Sequence, residues 1–518
     1  MGAERVLTVP QFNLWTLQWN ADRIAHLYRG YWDAPIFWPL RGTFARSEAQ
    51  SLTGALFAAL RPIGGNVGAY NLTLWALLAL NGLAMTWLAR RLGAAFVPAL
   101  LAGALAQTLP FIFNELGVLQ LVPLFPLWMM IERLVAYRQR PRWNTLAGAG
   151  TWIGAMALIS GYYALFTLLA LVVLGPVLVI GRGRRWWRVA ADIGVAAVAA
   201  AVIALPFLIP QQANTAEERW RERLVYELSA RPIDSIQRND ATLPVPWARE
   251  YDGGQALFPG GFALALAAVG LCTLAPRHRR VGFGVFAAAV LLWIVSLGLR
   301  VDVGGFAPYG FLRDHVAGFD RLRSPFRAAV MTQALLVVLA ALGLGWMWRR
   351  PAGRVLAIAC VVASVAETVH WNQPTGIVPR VARFDWVQWL DDAPEGSVAM
   401  VPFPASGSVV DYEATTTAML AALEHGHPLL NGYTGLFPMQ YRDLRHDMED
   451  FPDATAMDAI GDSGARYLVL RHDFEHFDDA RGYLDDFGWQ LRFAGDTRDV
   501  WERATTAERA PSSPPASP

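Results

Sequence analysis

The most constraining feature is a succession of apolar runs, each long enough to cross the roughly 30 Å hydrocarbon core of a bilayer. They fall near residues 69–89, 94–113, 118–137, 189–210, 257–275, 281–299, 327–347 and 355–371. Residues 145–180 are too long for one helix, and the break Ser160-Gly161-Tyr162-Tyr163 divides them into a short helix and a full one. The total expected is about ten membrane helices. Arginines punctuate the series at Arg90/Arg91, Arg138/Arg140/Arg142, Arg182/Arg184/Arg185/Arg188, Arg277/Arg279/Arg280 and Arg349/Arg350/Arg354. These clusters occupy every second connection, as the positive-inside rule requires of cytoplasmic loops. The expected fold class is an α-helical polytopic membrane protein of the cytoplasmic (inner) membrane.

That orientation leaves four regions outside: residues 1–68, the loops 211–256 and 300–326, and everything after residue 372. Residues 1–68 would have to cross with no signal peptide or preceding span. The expectation is that the reading frame starts one N-terminal helix too late. Spans and outer loops together make residues 69–372 the transmembrane domain. Beyond them the apolar runs shorten to strand length (398–403, 467–470, 489–493, 500–501) and alternate with amphipathic stretches such as 384–390 and 412–423. This predicts an extracytoplasmic α/β domain over residues 373–502, followed by a Ser-, Pro- and Ala-rich disordered tail at 503–518.

Composition removes several function classes. A chain of 518 residues that is 54% hydrophobic and 17% charged is too apolar for a soluble protein of its size. A net charge of +1 argues against nucleic acid as a partner. There is no lysine, which excludes Schiff-base and lysine-base chemistry. Cys272 and Cys360 both lie in apolar runs and read as small core residues.

Candidate reactive groups concentrate on the outer side. The first outer segment is dense in aromatics, Asn13-Leu-Trp15 and Trp19 followed by Tyr31-Trp-Asp33-Ala-Pro35-Ile-Phe-Trp-Pro39 and Ser47-Glu48. It reads either as interfacial helices and loop packed at headgroup level, or as a scaffold holding Asp33 or Glu48 as general base or metal ligand. Asn114-Glu115 closes the second span, where a carboxylate needs no function but could also serve as a second acid. Tyr162-Tyr163 marks another outer turn. Arg313, Arg321, Arg323 and Arg327 crowd the loop 300–326 and the mouth of the ninth span, against the orientation every other arginine cluster obeys. The guanidinium fork binds phosphate oxygens bidentately, so these four are candidates for a lipid-linked phosphate; the alternative is loop pairing with Asp314 and Asp320. Glu217, Glu218, Arg219, Arg221, Glu222 and Arg223 read as a solvated helix with salt bridges. His472 with His476, and His425 with His427, read as surface and turn positions rather than metal ligands.

The string Asn13 through Trp19, the Tyr31–Pro39 block, Ser47-Glu48, Ala69-Tyr-Asn-Leu, Ala89-Arg-Arg-Leu-Gly, Phe319-Asp-Arg321-Leu-Arg323-Ser-Pro325-Phe-Arg327, Asn431-Gly-Tyr-Thr-Gly435 and Phe437-Pro438 together resemble bacterial membrane proteins of the GT-C glycosyltransferase superfamily, including the YfhO-like groups. The resemblance covers most of the chain as a family-level pattern. It implies transfer of a sugar from a polyprenyl-phosphate carrier to a glycan, lipid or protein acceptor of the cell envelope, at the outer face of the cytoplasmic membrane. Such proteins usually carry a catalytic carboxylate in the first outer loop. Related sequences commonly place an acidic residue, often Gly-Asp, just before the Asn-x-Trp string; here the place reads Val9-Pro10-Gln11. Asp33 is then a substitute carboxylate or a structural residue.

The expected site has Asp33, Glu48 and Glu115 as catalytic carboxylates and Arg313, Arg321, Arg323 and Arg327 on the donor phosphate. Asn13, Trp15, Tyr162 and Tyr163 would contact substrate, and a divalent metal, Mg or Mn, would sit on Asp33 and Glu115. The rival reading is a non-catalytic membrane protein that binds a lipid-linked glycan during envelope assembly. A transporter would need ionisable residues at mid-membrane, whereas Glu132 and Glu367 lie near span ends.

Overall fold

The structure, a computed structural model, describes residues 6–180, 185–215, 220–369 and 378–503. The tail from 504, Arg182 and Arg184, and Glu217, Glu218 and Arg219 of the expected surface helix lie outside the described residues. The chain forms two compact units. One spans Glu48–Thr375; the other joins Val6–Ser47 to Gly376–Pro518.

Apolar helices dominate the first unit. Among the described residues eight are long and apolar enough to cross a membrane. The two other expected spans are shorter helices, Trp143–Ile159 and Gly261–Cys272, of 17 and 12 residues. The expected break at Ser160 is present, because the Ser160 hydroxyl accepts from Tyr163 N (3.5 Å) and so starts a new helix, Gly161–Val179. The expected boundary at residue 69 is not an element boundary. Helical structure runs from Ser51 to Arg91, kinked where Pro62 removes a donor and Gly65 adopts φ 59°.

Small residues set the closest helix approaches. A methyl group at Gly150 would collide with the Ala196 carbonyl, so Trp143–Ile159 lies directly against Trp186–Asn214. Gly270 and Gly343 do the same for Gly261–Cys272 and Ala328–Met347. Close backbone approach through small residues is how helices associate where lipid supplies no hydrophobic drive. Helix Trp186–Asn214 buries almost nothing and presents Ile193, Val198, Val202 and Ile209 outward. Such a face is untenable in water and ordinary in lipid. The chain is a multi-pass membrane protein.

The second unit is α/β. Its sheet has the order Val398–Val401, Tyr467–Arg471, Arg498–Arg503, Trp489–Ala494, the first pair parallel and the others antiparallel. Val398–Val401 and Tyr467–Leu470 are wholly buried, which explains why they read as continuous apolar runs rather than alternating ones. The aromatic N-terminal segment Val6–Ser47 groups with this unit rather than with the spans. Phe12, Trp15 and Trp19 lie at i, i+3 and i+7 of helix Thr8–Ala25, and Trp15 stacks on Trp19 (6.5 Å) and meets Phe44 (6.0 Å). The same helix packs on Glu413–His425, where Thr416 and Thr417 hydroxyls donate to Gln11 Oε1 at 2.8 and 3.1 Å. Leu429 N donates to Pro35 O (3.0 Å) and Trp38 N to Leu429 O (2.8 Å), tying the Pro35–Pro39 stretch to the segment that flanks the sheet.

Candidate functional site

The start of helix Gly161–Val179 is where the first unit gathers its unusual groups. Free N–H groups at a helix start attract an anion, and Glu48 fills that place. Its Oε1 accepts from the Ser160 hydroxyl (2.9 Å) and from Tyr162 N (3.3 Å). This leaves Oε2 enclosed and without a hydrogen-bond partner among the described residues.

Glu115 caps the short helix Pro110–Asn114, itself started by a proline that breaks the second span. Arg327 ends the turn Pro325–Arg327 that leads into Ala328–Met347. Its guanidinium lies over the Tyr162 ring, 4.8 Å from the centroid. Its Nε, too, is enclosed without a hydrogen-bond partner among the described residues. The Tyr162 hydroxyl accepts from Arg323 N (3.0 Å), so one tyrosine braces both arginines. Tyr163 lies alongside, its hydroxyl fixed on Leu121 O (2.6 Å).

Burial pushes the Glu48 carboxyl up from its ordinary value; Arg327 and the hydrogen bonds from Ser160 and the helix start pull it back. Burial likewise raises Glu115, opposed by Arg327 and then Arg323. Two carboxyls and two guanidiniums thus influence one another, yet no ion pair among the described residues joins them directly. Paired charges normally close up when buried. Here opposite charges influence one another without an ion pair among the described residues, an arrangement that marks a candidate functional site.

Beside Glu48 a small cavity of about 40 Å³ opens between the Glu48–Ser51 stretch, the end of Trp143–Ile159 and the lipid-facing helix Trp186–Asn214, which contributes Phe207, Leu208 and Gln211. One wall is apolar and lies on the outermost helix of the unit.

No family model matches the chain. No curated protein matches it either. Among solved structures it is similar to the crystal structure of ArnT from Cupriavidus metallidurans in the apo state, with TM-score 0.41 and 13% identity over 97% of this chain and 94% of that one. It is also similar to ArnT from the same organism bound to undecaprenyl phosphate, with TM-score 0.39 and 14% identity over 95% and 93% of the two chains.

Of the residues expected from sequence, Glu48, Glu115, Arg323, Arg327 and Tyr162 come together, with Tyr163 alongside. Arg313 and Arg321 serve the preceding loop instead. Arg313 pairs with Glu222 (3.2 Å) and donates to Trp220 O (2.9 Å), and Arg321 donates to the Thr215 hydroxyl (2.7 Å). Arg323 straddles the two groups, its guanidinium 5.2 Å from the Trp220 ring centroid.

Asp33, Asn13 and Trp15 belong to the second unit. Asp33 Oδ1 accepts from Gly42 N (2.9 Å) and shapes that turn, while Asn13 and Trp15 are buried in the helix Thr8–Ala25. The expected Mg or Mn on Asp33 and Glu115 meets a poor donor set. Among the described residues no group of three or more His, Cys, Asp or Glu side chains could hold a metal ion, and the positive charge next to Glu115 is Arg327. Ser160 and Gln211 were not singled out as site residues from sequence. Gln211-Gln212 directly after an apolar run was the signal for the second. The Ser160 contact spans 112 residues and left no local trace.

Glu132 and Glu367 are structural. Fully buried Glu132 is held by Arg91 (2.6 Å) and Arg133 (2.9 Å). Glu367 accepts from Phe262 N (3.0 Å) and the Trp247 indole (3.2 Å), so it closes the start of Gly261–Cys272.

Proposed function

We propose that the chain is a GT-C-like membrane glycosyltransferase that moves a sugar from a polyprenyl-phosphate donor to a cell-envelope acceptor. The membrane would be the bacterial cytoplasmic membrane, with Glu48, Glu115, Arg327 and the α/β unit on its outer face. The observation that carries this reading is the cluster of Glu48, Glu115, Arg323 and Arg327, whose opposite charges act on one another without ion pairing among the described residues. The arginine alternation along the sequence supports the orientation.

In the proposed reaction the acceptor hydroxyl oxygen attacks the anomeric carbon. The bond from that carbon to the phosphate oxygen breaks, its electrons stay on the leaving phosphate, and the acceptor proton passes to the Glu115 carboxylate. A carboxyl pushed upward by burial is a stronger base than one in water and suits that step. Arg327 and Arg323 bind the phosphate as its charge grows, worth more in an enclosed site than in water. Tyr162 positions both arginines, and Glu48 fixes the helix start that carries Tyr162. A metal is given no step, because the residues fit one poorly.

The test uses the purified full chain in proteoliposomes loaded with polyprenyl-phosphate sugars carrying a radiolabel. Transfer of label to an envelope extract is expected, and its loss in Glu115→Gln and Arg327→Gln while both variants still fold. Transfer that persists in Glu115→Gln would sink the assignment of the base.

A second reading is favoured by one observation: Glu48 is already engaged in capping a helix, so the cluster offers few free acids. On it the protein binds the lipid-linked glycan without catalysis. Donor capture that depends on Arg327, with no transfer from any donor tried, would select this reading.

A further inference from the structure

The same two spans that end at the cluster carry a second opening at their other end. It lies where Ser51–Arg91, Gly261–Cys272 and Ala328–Met347 terminate and Arg279–Ser296 begins, as an open cavity of about 170 Å³. Its rim carries Arg277, His278 and Arg349, its walls include Trp346 and Trp348, and among the described residues no carboxylate lines it. Gly93, at φ 88°, lets the chain turn close under Arg277, whose Nη2 would lie 3.5 Å from a methyl group there.

The arginines of this face have unequal engagements. Arg350 stacks on Trp346 at 4.6 Å, and Arg354 lies over the Trp348 ring at 6.0 Å and donates to Trp348 O (3.0 Å). Arg277 and Arg349 are exposed at the cavity, and among the described residues their side chains form no ion pair or hydrogen bond. Their charges nevertheless converge. His278 is held below its ordinary value, first by burial and then by Arg277 and Arg349, with the Leu92 carbonyl acting in the opposite sense. Guanidiniums aimed at one cavity without a counter-anion match the planar recognition of phosphate. The indoles Trp346 and Trp348 belong at headgroup level.

We propose that this cavity binds the phosphate headgroup of an anionic phospholipid, gripped by Arg277 and Arg349. Basic pockets between membrane helices on the positively charged side attract such headgroups. The position supports a lipid over free phosphate, since the cavity is built from span ends and lined by tryptophans. This site is independent of the glycosyl-transfer reading.

The full chain in detergent, incubated with equal amounts of dioleoylphosphatidylglycerol and dioleoylphosphatidylcholine, would be examined by native mass spectrometry. Retention of the glycerol lipid in preference to the choline lipid is expected, with about a tenfold loss of that retention in the double variant R277Q/R349Q. The charge-matched control R140Q/R142Q should retain lipid as the parent does. Excess inorganic phosphate should not displace the lipid. Equal retention of the two lipids, equal loss in the control, unchanged retention in R277Q/R349Q, or displacement by phosphate would each overturn the proposal. Thermal unfolding of each variant separates loss of the site from loss of the fold.

Discussion

The two ends of the helical unit use arginine in opposite ways. At one end Arg327 and Arg323 lie among carboxyls, half-buried, braced by Tyr162, and held short of ion pairing. At the other, Arg277 and Arg349 are exposed, with no carboxylate among the described residues lining the cavity. The spans Phe96–Asn114 and Pro325–Met347 run from one end to the other, a distance of about 30 Å for a helix of that length. Mixed charge that cannot close up marks a place for chemistry, because a reacting group can complete it. Charge of one sign at a surface marks a place for attraction alone.

The sharpest way to break this contrast is chemical. Glu115→Gln should lower sugar transfer by about a hundredfold or more while leaving phosphatidylglycerol retention at the far end intact, as read by transfer and mass spectrometry on one preparation. A structural change on the shared span should instead harm both ends. Gly343→Leu drives a side chain into the Leu266 carbonyl, and a loss of about 1–3 kcal/mol is expected, seen as a lower unfolding temperature in detergent and a fall in both activities. The third test is pH. Because burial raises Glu115, its basic form is lost as pH falls through a value above the ordinary carboxylate range, so transfer should decline there about tenfold per pH unit. The limb should be absent from the residual rate of Glu115→Gln. The smallest effect is expected at Arg313, whose partner Glu222 is 82% exposed. Arg313→Gln should cost less than about 1 kcal/mol of stability and change transfer by less than about threefold, since its contacts stay within the preceding loop.

Much of the helical unit was legible because membrane spans announce themselves locally. Length, apolarity and flanking arginine are all read within one window, and the break at Ser160 could be read from four residues. The gathering of Glu115, Arg323 and Arg327 was partly legible too, since each sits at a span end assigned to the same face. Which arginines reach that cluster was not, because Arg313 and Arg321 are taken by Trp220, Glu222 and Thr215, residues about a hundred positions away in sequence. The role of the aromatic segment was hidden for a related reason. Phe12, Trp15 and Trp19 state a helix stripe plainly, but nothing near them says that the covering surface is Tyr433 and the helix Glu413–His425. Aromatic density suits a membrane interface and a domain core equally well.

That division of the second unit has a consequence for how the protein is made. The Gln11 to Thr416 hydrogen bond spans 405 residues, and at ordinary rates of synthesis its two halves emerge roughly 20–80 s apart. The first helix therefore leaves the ribosome with its packing partner unmade. Throughout insertion of the membrane spans it carries an aromatic stripe and a row of threonine, glutamine and asparagine side chains that nothing yet covers. A nascent chain stalled before residue 376 is then a different object from one that carries both halves of the unit, with the segment Val6–Ser47 uncovered. Quality control that reads such segments would measure, in effect, whether translation had reached the second half of this unit.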